Sequence, residues 1–187
     1  MKTRFNSPFV IPVRDIVRKP GEMREHELDI TLSERWGEGI VAFEKDSELL
    51  LDVRLESVHE GILVTGTAEA TYSGECGRCL EPISAPVEVE IQELFAYPGE
   101  EATDFEVQDD HVDLETLVRD AAVLSLPFQP VCQPDCLGLD PETGEKLTEG
   151  KGADAAAPID PRWSALQQIT DQGTTAERRA PENTEGS

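Results

Sequence analysis

The four cysteines of the chain are the residues whose type and spacing point most directly to chemistry. They form two close pairs, Cys76-Gly-Arg-Cys79 and Cys132-Gln-Pro-Asp-Cys136. Structural zinc is usually held in a tetrahedron of four soft ligands taken from two such turns. We therefore predict one structural zinc ion bound by Cys76, Cys79, Cys132 and Cys136. Small buried cysteines without an ion, or a disulfide, stay open as alternatives.

A Cys-x-x-Cys sequence is also the motif of thiol–disulfide enzymes, in which the first cysteine begins a helix that lowers its pKa. Here Leu80-Glu81-Pro82-Ile83 follows Cys79 and leads into a predicted strand, so that activating helix is missing. An oxidoreductase using Cys76 and Cys79 remains the rival hypothesis. The sequence contains no phosphate loop, dinucleotide fingerprint or nucleophile elbow, and its three histidines are interpreted as solvated loop residues. We therefore predict that the chain is not an enzyme.

The net charge of the chain is strongly negative and unevenly distributed. Sixteen Lys and Arg against 39 Asp and Glu give 16 − 39 = −23. Residues 1–24 contain six basic and two acidic residues, a net of +4, so the remainder carries −27. Nucleic-acid binding depends on cations that displace counterions from phosphates. The balance therefore argues against DNA, and also against an anionic membrane surface.

The apolar residues near the amino terminus do not form a secretory signal. Pro8, Pro12, Arg14 and Asp15 interrupt the run, no small-x-small cleavage site follows, and no stretch approaches the length that spans a bilayer. We therefore expect a cytoplasmic protein. In that reducing compartment paired cysteines more often bind metal or do redox work than form structural disulfides.

The elements that would position the cysteines are mostly strands. Apolar and polar residues alternate over 27–32, 49–55, 62–72 and 87–95, and Val41 and Phe43 extend this pattern. Such alternation is typical of antiparallel strands with one buried face. Gly61 is expected to supply a positive φ in a turn. A helix is predicted over 113–126, with Asp113 as its N-cap and Pro127 as its stop.

The predicted fold class is α+β: a twisted antiparallel sheet with one main helix, a cysteine-paired zinc knuckle and a flexible acidic C-terminal tail. The predicted organisation is a basic N-terminal segment, a central domain, a flexible linker, a short helix and a disordered tail. Their respective ranges are 1–24, 25–139, 140–159, 160–170 and 171–187.

The two cysteine pairs and their surroundings resemble those of a known family. The motifs that carry the resemblance are Glu75-Cys-Gly-Arg-Cys-Leu80, a Val-rich strand ending in Leu94-Phe95, Leu126-Pro127, Val131-Cys-Gln-Pro-Asp-Cys-Leu-Gly-Leu139 and Asp160-Pro-Arg-Trp-Ser-Ala-Leu166. Together they are similar to the YceD-type family, the large ribosomal RNA subunit accumulation proteins, in an actinobacterial-like variant. The chain departs from many relatives, which carry two further cysteines where Asp140 and Thr143 stand here.

The resemblance implies a non-enzymatic factor that supports accumulation or processing of 23S ribosomal RNA and assembly of the large subunit. Its implied partner is the pre-ribosomal large subunit. The negative charge conflicts with direct RNA binding over the whole surface. One resolution is RNA contact by a basic arm that extends from the body, with partner-binding residues Arg14, Arg18, Lys19 and Arg24.

The other resolution is that a basic ribosomal protein binds the acidic surface. The candidate is the acidic connector over 100–110, with Glu100, Glu101, Asp104 and Glu106. An acidic binding module for some other basic protein partner also stays open.

Overall fold

The computed structural model describes residues 7–99 and 104–148 of the chain, which form antiparallel strands and one helix. The strands are β1 (Val10–Pro12), β2 (Met23–Thr31), β3 (Val41–Ala42), β4 (Glu48–Ser57), β5 (Gly61–Glu75), β6 (Pro82–Ala96) and β7 (His111–Asp113), and the helix is α1 (Glu115–Ser125). The predicted antiparallel sheet with one helix is confirmed. The predicted short helix over 160–170 and tail over 171–187 lie outside the described residues.

Strand β5 is the centre of a five-stranded sheet. It pairs with β4 through residues 62–70, with β6 along all of its 15 residues, and with β3 through Ser73 and Gly74. Strand β2 adds to the other side of β4, from Met23 opposite Glu56 to Thr31 opposite Glu48. All of these pairings are antiparallel, so neighbouring strands present residues of the same face at each register position.

One face of this sheet is buried and the opposite face is exposed. On β4 the residues Leu49, Leu51, Val53 and Leu55 are at most 3% exposed, whereas the residues between them face solvent. Burying each such side chain stabilises the fold by roughly 1.5–3 kcal/mol relative to exposure. The period of two that predicted the strands therefore also determines which face packs in the core.

Helix α1 packs against β6 and buries Val118 and Ala122. Its N-cap residue is Leu114, so the prediction of Asp113 at that position is wrong. Asp113 is the last residue of β7, and its Oδ1 atom accepts the N–H of Glu115 at 3.1 Å. The carboxylate therefore still satisfies a free N–H of the first turn, from one position earlier.

Gly61 follows a turn, but it does not have the predicted positive φ. A Cβ atom at this position would lie 2.1 Å from the Phe95 carbonyl oxygen on β6. Glycine is required here because two strands approach closely and not because the backbone is left-handed.

The first described residues are packed against the domain and do not form an extended arm. Phe9, Ile11, Val13 and Ile16 are at most 4% exposed and belong to the hydrophobic core. Strand β1 pairs with β7, so Val10 lies opposite Asp113 in a two-stranded sheet that the sequence did not predict. Residues 7–24 are held to the body because these apolar side chains are buried, whereas the basic side chains of the segment are exposed.

The chain divides into two compact units after Gly138. In the second unit, residues 139–146 form a hydrogen-bonded turn where a flexible linker is predicted. The Oδ1 atom of Asp140 accepts the N–H groups of Glu142 at 2.8 Å and Thr143 at 2.9 Å. The Thr143 N–H, followed by that of Glu142, lowers the pKa of the Asp140 carboxyl group.

Two buried hydroxyl groups anchor the loop between β1 and β2. The Arg18 N–H donates to the Tyr97 hydroxyl at 2.8 Å, and that oxygen lies 3.0 Å from Ser57 Oγ. The Lys19 N–H also donates to Ser57 Oγ, at 3.3 Å. We predict that Tyr97→Phe lowers the free energy of unfolding by about 1–3 kcal/mol, because it leaves buried polar groups without a partner. Urea unfolding measures this change.

The control is Tyr72→Phe. Tyr72 is half-buried, and its hydroxyl makes no hydrogen bond within residues 7–99 and 104–148. Equal destabilisation by the two substitutions would contradict the role assigned to the Tyr97 hydroxyl.

Candidate metal centre

The cysteines lie on two segments that meet beside the end of the β5–β6 hairpin. Cys76 follows the last residue of β5, and Cys79 lies in the turn before β6 begins at Pro82. Cys132 and Cys136 follow helix α1. The structure thus brings together residues separated by up to 60 positions in the sequence.

The hairpin turn has a defined backbone geometry. The Cys76 N–H donates to the Glu81 carbonyl at 2.8 Å, and the Leu80 N–H donates to the Cys76 carbonyl at 2.9 Å. The Gly77 N–H donates to the Pro130 carbonyl at 2.8 Å, which joins the turn to the segment after the helix. The bond from Gly77 therefore holds the two segments together independently of the sulfurs.

The four Sγ atoms all lie within 4.8 Å of one another. Cys76 Sγ is 3.9 Å from Cys136 Sγ, and Cys79 Sγ is 3.6 Å from Cys132 Sγ. A metal–sulfur bond of about 2.3 Å gives a tetrahedron with edges of about 3.8 Å, so the arrangement fits a single ion. Both distances exceed the length of about 2 Å of a disulfide bond.

Backbone N–H groups surround the sulfur of Cys76. It accepts the N–H of Cys132 at 3.4 Å and that of Arg78 at 3.5 Å. Hydrogen bonding from the Cys79 N–H and, more weakly, from those of Arg78 and Cys132 lowers the pKa of Cys76 to about 6. This environment stabilises a thiolate, which is the form of cysteine that binds metal.

Cys132 has the opposite electrostatic environment. Although Cys132 is exposed as a residue, partial burial of its sulfur, followed by hydrogen bonding with the other thiols, raises the pKa of Cys132 to about 12. Without an ion, four adjacent sulfurs cannot all carry a negative charge. A divalent cation would supply the charge that lets them ionise together, and zinc and iron are the ions that commonly occupy tetrahedral sites of four sulfurs.

Arg78 strengthens the junction through contacts that sequence analysis missed. One of its terminal guanidinium nitrogens donates to the Cys136 carbonyl at 2.9 Å and to the Pro134 carbonyl at 3.3 Å. The carbonyl of Arg78 also lies 3.2 Å from the position of a Cβ on Gly138, so this close approach favours glycine. No spacing signal in the sequence connects Arg78 to residues more than 50 positions away.

The geometry disfavours the oxidoreductase hypothesis. Cys76 is completely buried and Cys79 is 5% exposed, whereas Cys132 is the exposed member of the cluster. A thiol that attacks a substrate disulfide must be accessible to it. The two cysteines of the Cys-x-x-Cys motif therefore face the other pair instead of solvent.

The four basic residues predicted to bind a partner are all exposed at the loop between β1 and β2 or at the start of β2. Arg14 pairs with Asp110 at 3.4 Å, and Arg24 pairs with Asp15 at 2.8 Å. The Arg18 guanidinium lies 5.6 Å from the centroid of the Tyr97 ring. The Lys19 ammonium donates to the Asp15 carbonyl at 2.6 Å. Within the described residues, Arg18 and Lys19 form no ion pair with a carboxylate.

The acidic connector is described only in part. Glu100 and Glu101 lie outside the described residues, whereas Asp104 and Glu106 line an open cavity of about 510 Å³. Phe105, whose ring centroid is 5.2 Å from that of Phe95, lies in the wall of the same cavity.

The described helix α1 is not long and apolar enough to cross a membrane.

The model of the family named large ribosomal RNA subunit accumulation protein YceD matches residues 64–170. An uncharacterized protein of Mycobacterium tuberculosis is 42% identical over 171 residues, which cover 87% of this chain and 82% of the relative. An uncharacterized protein of Mycobacterium leprae is 36% identical over 170 residues, covering 87% and 78%. These relatives agree with the predicted actinobacterial-like variant.

A more distant relative is the uncharacterized protein YlbN of Bacillus subtilis, which is 28% identical over 111 residues covering 54% of this chain and 64% of the relative. No solved structure matches the chain. The family match includes all four cysteines together with most of β5 and all of β6 and α1, the elements that position them. The predicted resemblance is confirmed, and the chain belongs to the YceD family.

Proposed function

We propose that the chain is a non-enzymatic cytoplasmic factor that supports accumulation or processing of 23S ribosomal RNA and assembly of the large ribosomal subunit. The observation that carries this proposal is the family match over residues 64–170, because the family is named for large ribosomal RNA subunit accumulation. The cysteine cluster supports the non-enzymatic part. Its four ligands would complete the coordination of one ion and leave no position for a substrate.

The bound ion in this proposal is zinc, and its role is structural. Cys76 and Cys79 hold the β5–β6 turn, and Cys132 and Cys136 hold the segment after α1. An ion between them would fix the exit of the helix to the end of the sheet. The chemistry that zinc supplies here is coordination alone, since its four ligands are protein sulfurs.

The RNA contact in this proposal is the loop that contains Arg14, Arg18, Lys19 and Arg24. Exposed ion pairs such as Arg14 with Asp110 contribute at most about 1 kcal/mol, so a phosphate competes readily for these cations. Screening over about 8 Å at physiological salt also confines repulsion by the acidic surface to short range. Arg18 and Lys19 are the first candidates because their charges are not neutralised by a carboxylate among the described residues.

The proposed function predicts that deletion of the gene lowers the ratio of 23S to 16S RNA and leaves large-subunit precursors in sucrose gradients. The ratio should fall because the proposed role concerns the large subunit only. A copy of the wild-type gene should restore both the ratio and the gradient profile. An unchanged ratio and an unchanged gradient profile in the deletion strain would rule out the proposed role.

The proposed metal site predicts about one zinc per purified chain by native mass spectrometry. Cys→Ser at any of the four positions should reduce the zinc content, because each removes one ligand. It should also lower the Tm by more than about 8 °C, equivalent to roughly 2–3 kcal/mol at this size. Ser84→Ala, at an exposed position of β6, is the control. A folded wild-type chain that contains no metal would contradict the site.

The proposed RNA contact predicts that replacing Arg14, Arg18, Lys19 and Arg24 with Ser weakens association with pre-ribosomal particles. Loss of four phosphate contacts should flatten the slope of log K against log salt by roughly 3. The pair Arg18→Ser with Lys19→Ser should account for most of the loss. Its matched control is Lys45→Ser with Arg35→Ser, which removes the same charge at exposed positions outside this loop. Equal effects of the two pairs would show that net charge, and not this loop, is responsible.

A further inference from the structure

The face of the sheet that points away from the core carries an unusual density of negative charge. This acidic face consists of the outward residues of β2, β4, β5 and β6, which alternate with the buried ones. On this face three acidic residues lie on β2, three on β4, two on β5 and two on β6. Arg54 is the one basic residue that these four strands place on the face. The net charge of the face is therefore 1 − 10 = −9.

The register places like charges directly opposite each other. Glu27 is the partner of Asp52 across β2 and β4, and Glu69 is the partner of Glu88 across β5 and β6. Directly opposed like charges destabilise a sheet, whereas opposite charges at these positions would stabilise it. This surface thus departs from the pattern that favours the fold, and such departures concentrate at functional sites.

The face also contains two shallow hollows between its acidic side chains. One of about 460 Å³ is lined by Glu48, Leu50, Glu69, Thr71 and Glu88 among others. The second, of about 330 Å³, is lined by Glu25, Glu27, Asp52, Arg54, Thr65 and Thr67 among others, so three carboxylates outnumber one guanidinium there. Carboxylates and hydroxyl groups are hydrogen-bond acceptors, and Lys and Arg side chains offer only donors. The hollows therefore suit cationic side chains.

We propose that the acidic face is the docking surface for an extended lysine- and arginine-rich segment of a protein partner. The identification of that partner as a basic protein of the large ribosomal subunit rests on the proposed function. Four strands give a surface about 15 Å wide, along which such a segment can reach several carboxylates at once. Complementary charge of this kind accelerates association and selects the partner.

Two other occupants fit the face less well. RNA phosphates would meet ten carboxylates and one guanidinium, so repulsion opposes them. A second copy of the chain would bring two surfaces of charge −9 together. Leu50, 49% exposed, and Met23, 41% exposed, are the exposed large hydrophobic residues of this face, which is too little apolar surface to offset that repulsion.

The test compares two variants with the same change in net charge. The face variant combines Glu27→Gln, Asp52→Asn, Glu69→Gln and Glu88→Gln. The control variant combines Glu38→Gln, Glu60→Gln, Asp135→Asn and Glu142→Gln, all exposed positions outside the face. The probe is a fluorescein-labelled deca-lysine peptide, titrated by fluorescence anisotropy at about 150 mM salt, where long-range attraction is screened.

We expect the face variant to bind the peptide about tenfold more weakly than the wild type, and the control variant to stay within about twofold. The face variant should also unfold at the same temperature as the wild type or at a higher one, because two repulsive pairs are removed. Weaker binding then cannot result from unfolding. An equal loss of peptide affinity in both variants, or no loss in either, would overturn the proposal. Binding of the wild type to a labelled RNA hairpin that only the face variant abolishes would also overturn it.

Sucrose-gradient sedimentation separates this proposal from the proposed function. If the wild type sediments with large-subunit precursors, the face variant should be released from them and the control variant should stay bound. Retention of the face variant would show that the acidic face is not the contact with the precursors. If wild type does not sediment with precursors, the proposed function fails. The peptide titration then still decides whether the face binds basic segments.

Discussion

The pairing of β5 with three other strands is the constraint on which both the cysteine cluster and the acidic face depend. Gly66 and Gly74 of β5 lie so close to the carbonyl oxygens of Asp52 and Ile40 that a Cβ at either position would be 2.0 Å away. These approaches place β4 on one side of β5, with β3 beyond it, while β6 occupies the other side. The end of β5 then brings Cys76 to the cysteine cluster, and the outward residues of β5 contribute to the acidic face.

The main elements could be predicted from the sequence because their patterns are local. Alternation over residues 49–55 and helical spacing from Leu114 to Leu124 require only neighbouring residues. The pairing of β1 with β7 could not be predicted in this way. Val10 and Asp113 are about 100 positions apart, and each strand has three residues, too few for a period to emerge.

The convergence of the cysteines was predictable because two pairs of the same soft ligand have few other uses in a reducing compartment. The way in which they converge was not. Each short sulfur–sulfur distance joins one cysteine of the first pair to one of the second, Cys76 to Cys136 and Cys79 to Cys132. That arrangement depends on the bond between Gly77 and Pro130 and on the contacts of Arg78, which no local pattern indicates.

In the proposed role, the acidic face would let a chain with a net charge of −23 bind a basic ribosomal partner. Its negative charge was visible as alternating glutamates on β6, but its density follows from the register that aligns Glu88 with Glu69 and Asp52 with Glu27. The exposed cations of the loop between β1 and β2 lie on a separate segment that Tyr97 and Ser57 hold in place. Salt screens the electrostatic field of each surface within a distance close to the screening length. One molecule can therefore bind a polycation and a polyanion at different places. Averaged over the whole chain the charge argues against an RNA role, but partners respond to the local charge of the surface that they touch.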